Sequence, residues 1–129
     1  MMTNYDISDI EGAFIGLVKA ANVSANVYPN RPKATVKSQD FVVVRLGTAV
    51  EDLATYGTCR VRISLFARDV DNIKNSVKLG LMYDALIAGM PAQEGRYMID
   101  VNPTISPDVA DDYGFHARII TFKVTIKVQ

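Results

Sequence analysis

Between Thr58 and Met90 the hydrophobic period passes from that of a strand to that of a helix with no linker, and this change constrains the fold more than any other stretch. Cys59, Val61, Ile63, Leu65 and Ala67 alternate with Arg60, Arg62, Ser64, Phe66 and Arg68, the two-residue repeat of a half-buried strand. One face is apolar and the other mostly cationic. Asp69 and Asp71 follow, and their carboxylates suit the free N–H groups and the positive dipole end of a helix, so a helix is predicted to start there. Along it Ile73, Val77 and Leu81 form one stripe, while Leu79, Met82, Tyr83, Leu86, Ile87 and Met90 extend it. That apolar surface is wider than a two-layer contact uses, which predicts burial on more than one side and raises the possibility of a subunit contact. Gly89 and Pro91 punctuate the end, glycine as a left-handed cap and proline as a residue that cannot donate the next helical bond.

Upstream, Ser8 and Glu11 stand at the capping-box spacing. Ile10, Phe14, Leu17, Val18 and Ala21 then recur as one helical face, predicting a first helix over Asp9 to Ala21. Gly12 and Gly16 either weaken that helix or admit a close neighbour. Val23 to Tyr28 reads as a short strand stopped by Pro29 and Pro32, and the β-branched run Asp40 to Leu46 as a strand buried on both faces. Residues 47–57 form either one helical turn at Glu51 to Ala54 or a wide hairpin connection into the strand at Thr58.

Downstream, a turn at Gln93 to Arg96 leads to a strand over Tyr97 to Val101, and Asn102 to Gly114 is an irregular loop broken by Pro103 and Pro107. The segment Phe115 to Val128 is long for a strand, and its apolar phase moves from Phe115, Ala117 and Ile119 to Ile120, Phe122, Val124, Ile126 and Val128. A bulge or twist near Ile119 and Ile120 is the expected cause, with the first half projecting as a hairpin arm. These elements predict one α+β domain over residues 1–129, with a mainly antiparallel four- to five-stranded sheet packed against two helices.

At 129 residues, 49% apolar and 22% charged, the chain is long enough to bury roughly two thirds of its unfolded surface in one core. Fourteen basic and fourteen acidic side chains cancel, so steering rests on local charge. Cys59 is the only cysteine, which excludes an internal disulfide or a cysteine-cluster zinc site and reads as a small buried hydrophobe. The acids in MMTNYDISDIEG are unlike a signal peptide, and no apolar run has membrane-spanning length. A soluble protein of a reducing compartment, with no membrane association, is expected.

No catalytic signature stands out. His116 lies in a strand beside Arg118 with no serine or cysteine motif pointing to it, and an enzyme is not predicted. Asp108, Asp111 and Asp112 share one loop, but their spacing lacks the ligand order and turn glycine of a calcium loop, so neither metal nor cofactor is predicted. For nucleic acid the best candidates are Arg60, Arg62 and Arg68 with Phe66; the plainer reading is an outer strand face that is solvated or pairs with neighbouring strands and subunits. Two loops of opposite sign are more suggestive, one with Arg31, Lys33 and Lys37, the other with Asp108, Asp111 and Asp112 and followed by His116 and Arg118. Between copies they would give a head-to-tail contact able to close into a ring; within one chain they would pair with each other.

The strand RVRISLFARD, the helix running through Leu81-Met82-Tyr83-Asp84-Ala85-Leu86, a strand near Tyr97 and a long final strand together resemble the small tail-completion proteins of long-tailed bacteriophages, most of all the tail terminator and head-to-tail joining proteins. The resemblance spans most of the chain and rests on element order and apolar pattern. It implies an α+β protomer in a hexameric ring on the tail tube, ending tube growth and joining tail to head. Its partners would be other copies, the tail tube protein and the head connector, with DNA passing through the lumen unread. It further implies assembly in the bacterial host cytoplasm, residence in the virion tail and no catalytic residues. A second function class, a small-molecule or regulatory binding domain of the α+β sandwich type, would instead show a concave pocket with converging polar groups.

Overall fold

Two equally long strands pair end to end and carry everything else. In the computed structural model, which describes residues 5–31 and 38–127, β4 (Tyr56–Arg68) and β9 (Phe115–Lys127) run antiparallel from Tyr56↔Lys127 to Arg68↔Phe115 without a break in register. The remaining strands are β1 (Val27–Tyr28), β2 (Asp40–Leu46), β3 (Glu51–Asp52), β5 (Gln93–Glu94), β6 (Tyr97–Ile99), β7 (Thr104–Ile105) and β8 (Val109–Ala110). Sheet order is β1-β2-β4-β9-β6-β5, with β3 on β4 and with β7 and β8 on β9. The fold is α+β, but the sheet is larger than the expected four or five strands, and it is mixed because β1 joins β2 in parallel. Most of the additional strands are two residues long, too short to leave an alternating pattern in the sequence. β6, β7 and β8 meet β9 in succession along the side away from β4, with β5 outside β6.

One face of the sheet is the main core. Cys59, Val61, Ile63, Leu65 and Ala67 from β4 and Ile120, Phe122, Val124 and Ile126 from β9 are buried there. Against them pack Ile10, Phe14 and Val18 of α1 (Ile7–Ala20) and Leu79, Met82 and Leu86 of α2 (Ser76–Gly89). β2 is buried on both faces from Phe41 to Val44, as its unbroken apolar run predicts. The apolar phase change in β9 is not a bulge: the register is continuous, and burial switches faces, Phe115 and Ala117 lying on the opposite side from Ile120 and Phe122. Nor does its first half project, since Phe115 is fully buried.

Both helix starts differ from the sequence-based expectation. Asp6, not Ser8, caps α1, its carboxylate accepting from the Ser8 and Asp9 N–H groups at 2.8 and 3.3 Å. Glu11 instead accepts from the Leu46 N–H at 2.8 Å, tying the helix to the end of β2. α2 begins at Ser76 behind Asn75, whose side chain accepts from the Lys78 N–H. Asp69 to Lys74 is taken up by a tight turn in which Val70 and Ile73 exchange backbone bonds at 2.9 Å, with Asp71 and Asn72 at positive φ. Two successive left-handed residues are what such a turn needs, and Asp and Asn tolerate that conformation. Gly89 is the last residue of α2 and serves a different purpose from a left-handed cap: a Cβ there would stand 2.4 Å from Ala21 Cβ, so its absence lets the ends of the two helices meet. Gly12 and Gly16 have no neighbour within 4 Å of an added Cβ, so close approach does not explain them.

Residues 47–57 adopt the hairpin arrangement, β3 folding back on the start of β4 through Glu51↔Thr58. Leu79, Met82 and Met90 are buried within the protomer, which removes them from any subunit contact. The apolar surplus of α2 lies on its other side, where Val77 and Leu81 are 75% and 62% exposed, and Ile73 in the turn before it is 69% exposed.

Candidate functional site

The face of the sheet away from the helices is built from Phe41, Val43 and Arg45 of β2, alternate residues Thr58 to Arg68 of β4 and Phe115 to Lys127 of β9. It divides into two zones. At one end Phe41, Val43 and Phe115 form a second small core, with Phe66 stacked on Phe41 at 4.3 Å and Phe115 edge-on to it at 5.2 Å. Arg31 covers this cluster. Its guanidinium lies 5.0, 5.3, 4.7 and 5.2 Å from the ring centroids of Phe41, Phe66, Tyr113 and Phe115 and is ion-paired to Asp111. Arg68 stacks on Phe115 at 4.5 Å and donates from Nε to the Ser38 carbonyl at 3.0 Å. Phe66 and Arg68 thus take part in a packed cluster, and Phe66 also forms one end of the groove beside it.

The other zone is cationic. Arg45 lies directly across from Arg62, and Arg60 directly across from Lys123. All four are exposed. A groove of about 410 Å³ is lined by Arg31, Arg45, Gly47, Arg62 and Ser64, and a second of about 510 Å³ by Thr48, Glu51, Arg60, Lys123 and Thr125. Gly47 lines the first of these, where an added Cβ would sit 3.5 Å from Arg62 Cβ and 3.3 Å from the Arg60 carbonyl oxygen. The sequence shows Arg60 and Arg62; Arg45 and Lys123 join them only through strand register, which alternation within single strands does not reveal.

The residues of the two oppositely charged loops are placed as follows. Arg31 and Asp111 pair within one chain, the second of the two arrangements open to the sequence. Asp108 accepts from Arg118 Nε and Nη2, both at 2.9 Å, and from Lys74 Nζ at 3.1 Å, tying the 102–114 segment to the start of α2. His116 Nδ1 is 2.6 Å from Asp69 Oδ1. Asp112 is exposed, and Lys33 and Lys37 lie outside the described residues.

Electrostatics follow from these contacts. The Arg118 hydrogen bonds hold the Asp108 carboxyl below the usual carboxylate range against the opposing effect of burial, and Asp108 in turn raises Arg118. For Asp111 burial pushes upward, but the Tyr113 and Phe115 N–H groups and Arg31 outweigh it, and the net direction is down. Burial pushes the Cys59 thiol up to about 11, so it is a hydrophobe and a poor nucleophile. Among the described residues no three metal-ligating side chains cluster, and no helix is long and apolar enough to cross a membrane.

No protein-family model matches the sequence, and no curated protein matches it. A solved structure does resemble it in fold. A chain of the structure titled "Virion of native gene transfer agent (GTA) particle" superposes with a TM-score of 0.58 at 12% identity, over 95% of this chain and 98% of that one. At that identity the likeness is one of fold.

Proposed function

We propose that this protein is a structural component of a phage-like virion, and that it acts as a tail-completion ring that ends the tail tube and joins it to the head. The observation that carries this reading is the match in fold over nearly the whole of both chains with a component of a gene transfer agent virion. It agrees with the element order that resembles the tail terminators and head-to-tail joining proteins.

Two features of the surface support assembly. Val77 and Leu81 form an exposed stripe on α2, continued by Ile73, and contiguous exposed apolar residues mark interaction sites. Val101, Ile105, Val109 and Tyr113 are also exposed along the segment that edges β9. The contacts of Arg31, Asp111, Asp108 and Arg118 give that segment a fixed shape, so in this reading these residues, with Asp112 and His116 beside them, set the geometry of a ring contact. The grooves of the outer face are open and bordered by exposed cations, which favours surface contact over enclosure of a small molecule.

Sedimentation equilibrium of the purified protein tests the ring. Six copies of the 14.2 kDa chain would give a closed species of about 85 kDa. Val77→Asp with Leu81→Asp should reduce it to monomers whose thermal stability is unchanged. A protein that stays monomeric at high micromolar concentration, both alone and with the products of its flanking genes, would overturn the proposal.

A further inference from the structure

The four cations of the outer face are placed where a free-standing sheet does not favour them. Arg45↔Arg62 and Arg60↔Lys123 are like charges in directly opposed cross-strand positions, an arrangement that costs stability. The chain has as many acids as bases, yet no ion pair among the described residues engages any of the four. Of the carboxylates elsewhere, Asp108 pairs with Arg118 and Lys74, Asp111 with Arg31, Asp69 with His116 and Asp40 with Lys78. Glu51 brings a negative charge to one edge of the strip. Such a surface is stabilised by an external anion spanning several of these positions at once.

The chemistry around the cations discriminates between kinds of polyanion. Protein interfaces have an apolar, often aromatic centre with charge at the rim. Most of the exposed large apolar residues lie between Val70 and Leu81 and between Met98 and Tyr113, with Leu53 and Tyr56 at one end of the strip, while the strip itself is interleaved with Thr48, Thr58, Thr121 and Thr125. Guanidinium, ammonium and hydroxyl groups are the set that contacts phosphate oxygens. Of the rings on this face, Phe66 is stacked on Phe41 and Tyr56 stands alone at the start of β4, short of the series of rings on which single-stranded bases stack. We infer that Arg45, Arg60, Arg62 and Lys123 form a binding surface for the phosphate backbone of duplex DNA, indifferent to sequence. The inference stands on this face alone and does not require the ring.

Fluorescence anisotropy with two labelled 20-base-pair duplexes of unrelated sequence tests it. Four phosphate contacts give a slope of log K against log salt near about −3.6, or roughly a 150-fold weakening between 50 and 200 mM salt. Both duplexes should bind equally. Arg45→Gln with Arg62→Gln should halve the slope to about −1.8, while the melting temperature stays level or rises because an opposed like-charge pair is gone. Absence of binding at 25 mM salt, a slope unchanged in the double variant, or a preference for one duplex would overturn the inference. So would equal competition by poly-L-glutamate of matched charge, which would assign the face to an acidic protein.

Discussion

Arg31 is the side chain whose removal bears most directly on how the outer face is held together. Its guanidinium is within 5.3 Å of four ring centroids and bonds to Asp111, with side-chain exposures of 23% and 19% for the two partners. A charge-assisted bond contributes about 1.5–3 kcal/mol, and the residual exposure puts this one at the lower end. Stacking on the rings adds about 0.5–1 kcal/mol. Asp111 is not orphaned when Arg31 is lost, because the Tyr113 and Phe115 N–H groups still donate to it at 2.8 and 3.0 Å. Arg31→Ala should therefore lower unfolding free energy by about 2–3 kcal/mol. Arg31→Lys keeps the charge but not the planar stack and should recover about half of that loss. The chain has no tryptophan, so urea titration followed by far-UV circular dichroism is the suitable assay. A loss below about 0.5 kcal/mol for Arg31→Ala, the range of an ordinary surface substitution, would refute the argument, as would full recovery by lysine.

Two other perturbations have definite signs. The folded Asp108 carboxyl lies below its unfolded value of about 3.9, so the stability it contributes is fully present above that pH and is lost as pH falls through the folded value. Asp108→Asn should melt at a lower temperature than the parent at pH 7, and thermal melts down to pH 2.5 should show the gap closing below about pH 4. At Gly89 a Cβ would meet Ala21 Cβ at 2.4 Å, so Gly89→Val should cost about 1–3 kcal/mol by overpacking. Gly80→Ala, with open space at the same test, should gain up to about 1 kcal/mol from helix propensity. Chemical denaturation of the two variants checks both directions.

The alternation of Cys59 to Ala67 revealed the central strand, and the period of Leu79, Met82 and Leu86 revealed the helix packed on it, because both patterns are written within one element. What depends on pairs of elements was hidden. The helical reading of Asp69 to Ser76 failed because an acid before an apolar stripe is equally compatible with a left-handed turn, and Asp71-Asn72 settles into that turn. Ile73 and Val77 looked buried for a different reason: residue spacing cannot tell a buried stripe from an exposed one when a segment is apolar on more than one side. In β9 the phase change was visible, but its cause lay in Phe41 and Phe66, far away in sequence, which create a second core on the opposite face.

The candidate site was legible in part. Arg60 and Arg62 stood out as the polar half of a strand, and the opposite signs of the two loops left open whether Arg31 and Asp111 would meet between copies or within one chain, where they do pair. Arg45 sits in a strand whose other residues are nearly all apolar, so it looked incidental until register set it across from Arg62. The role of Arg31 as a cover for aromatic rings was also not readable, since Phe41, Phe66, Tyr113 and Phe115 come from four separate stretches of the chain.

The proposed role in ending tube growth is tested most directly by the length of tail tubes assembled from the flanking genes, measured by electron microscopy with and without this protein. Tubes of one uniform length in its presence, and of scattered and longer lengths in its absence, are the predicted result. An identical length distribution in both samples would contradict the account.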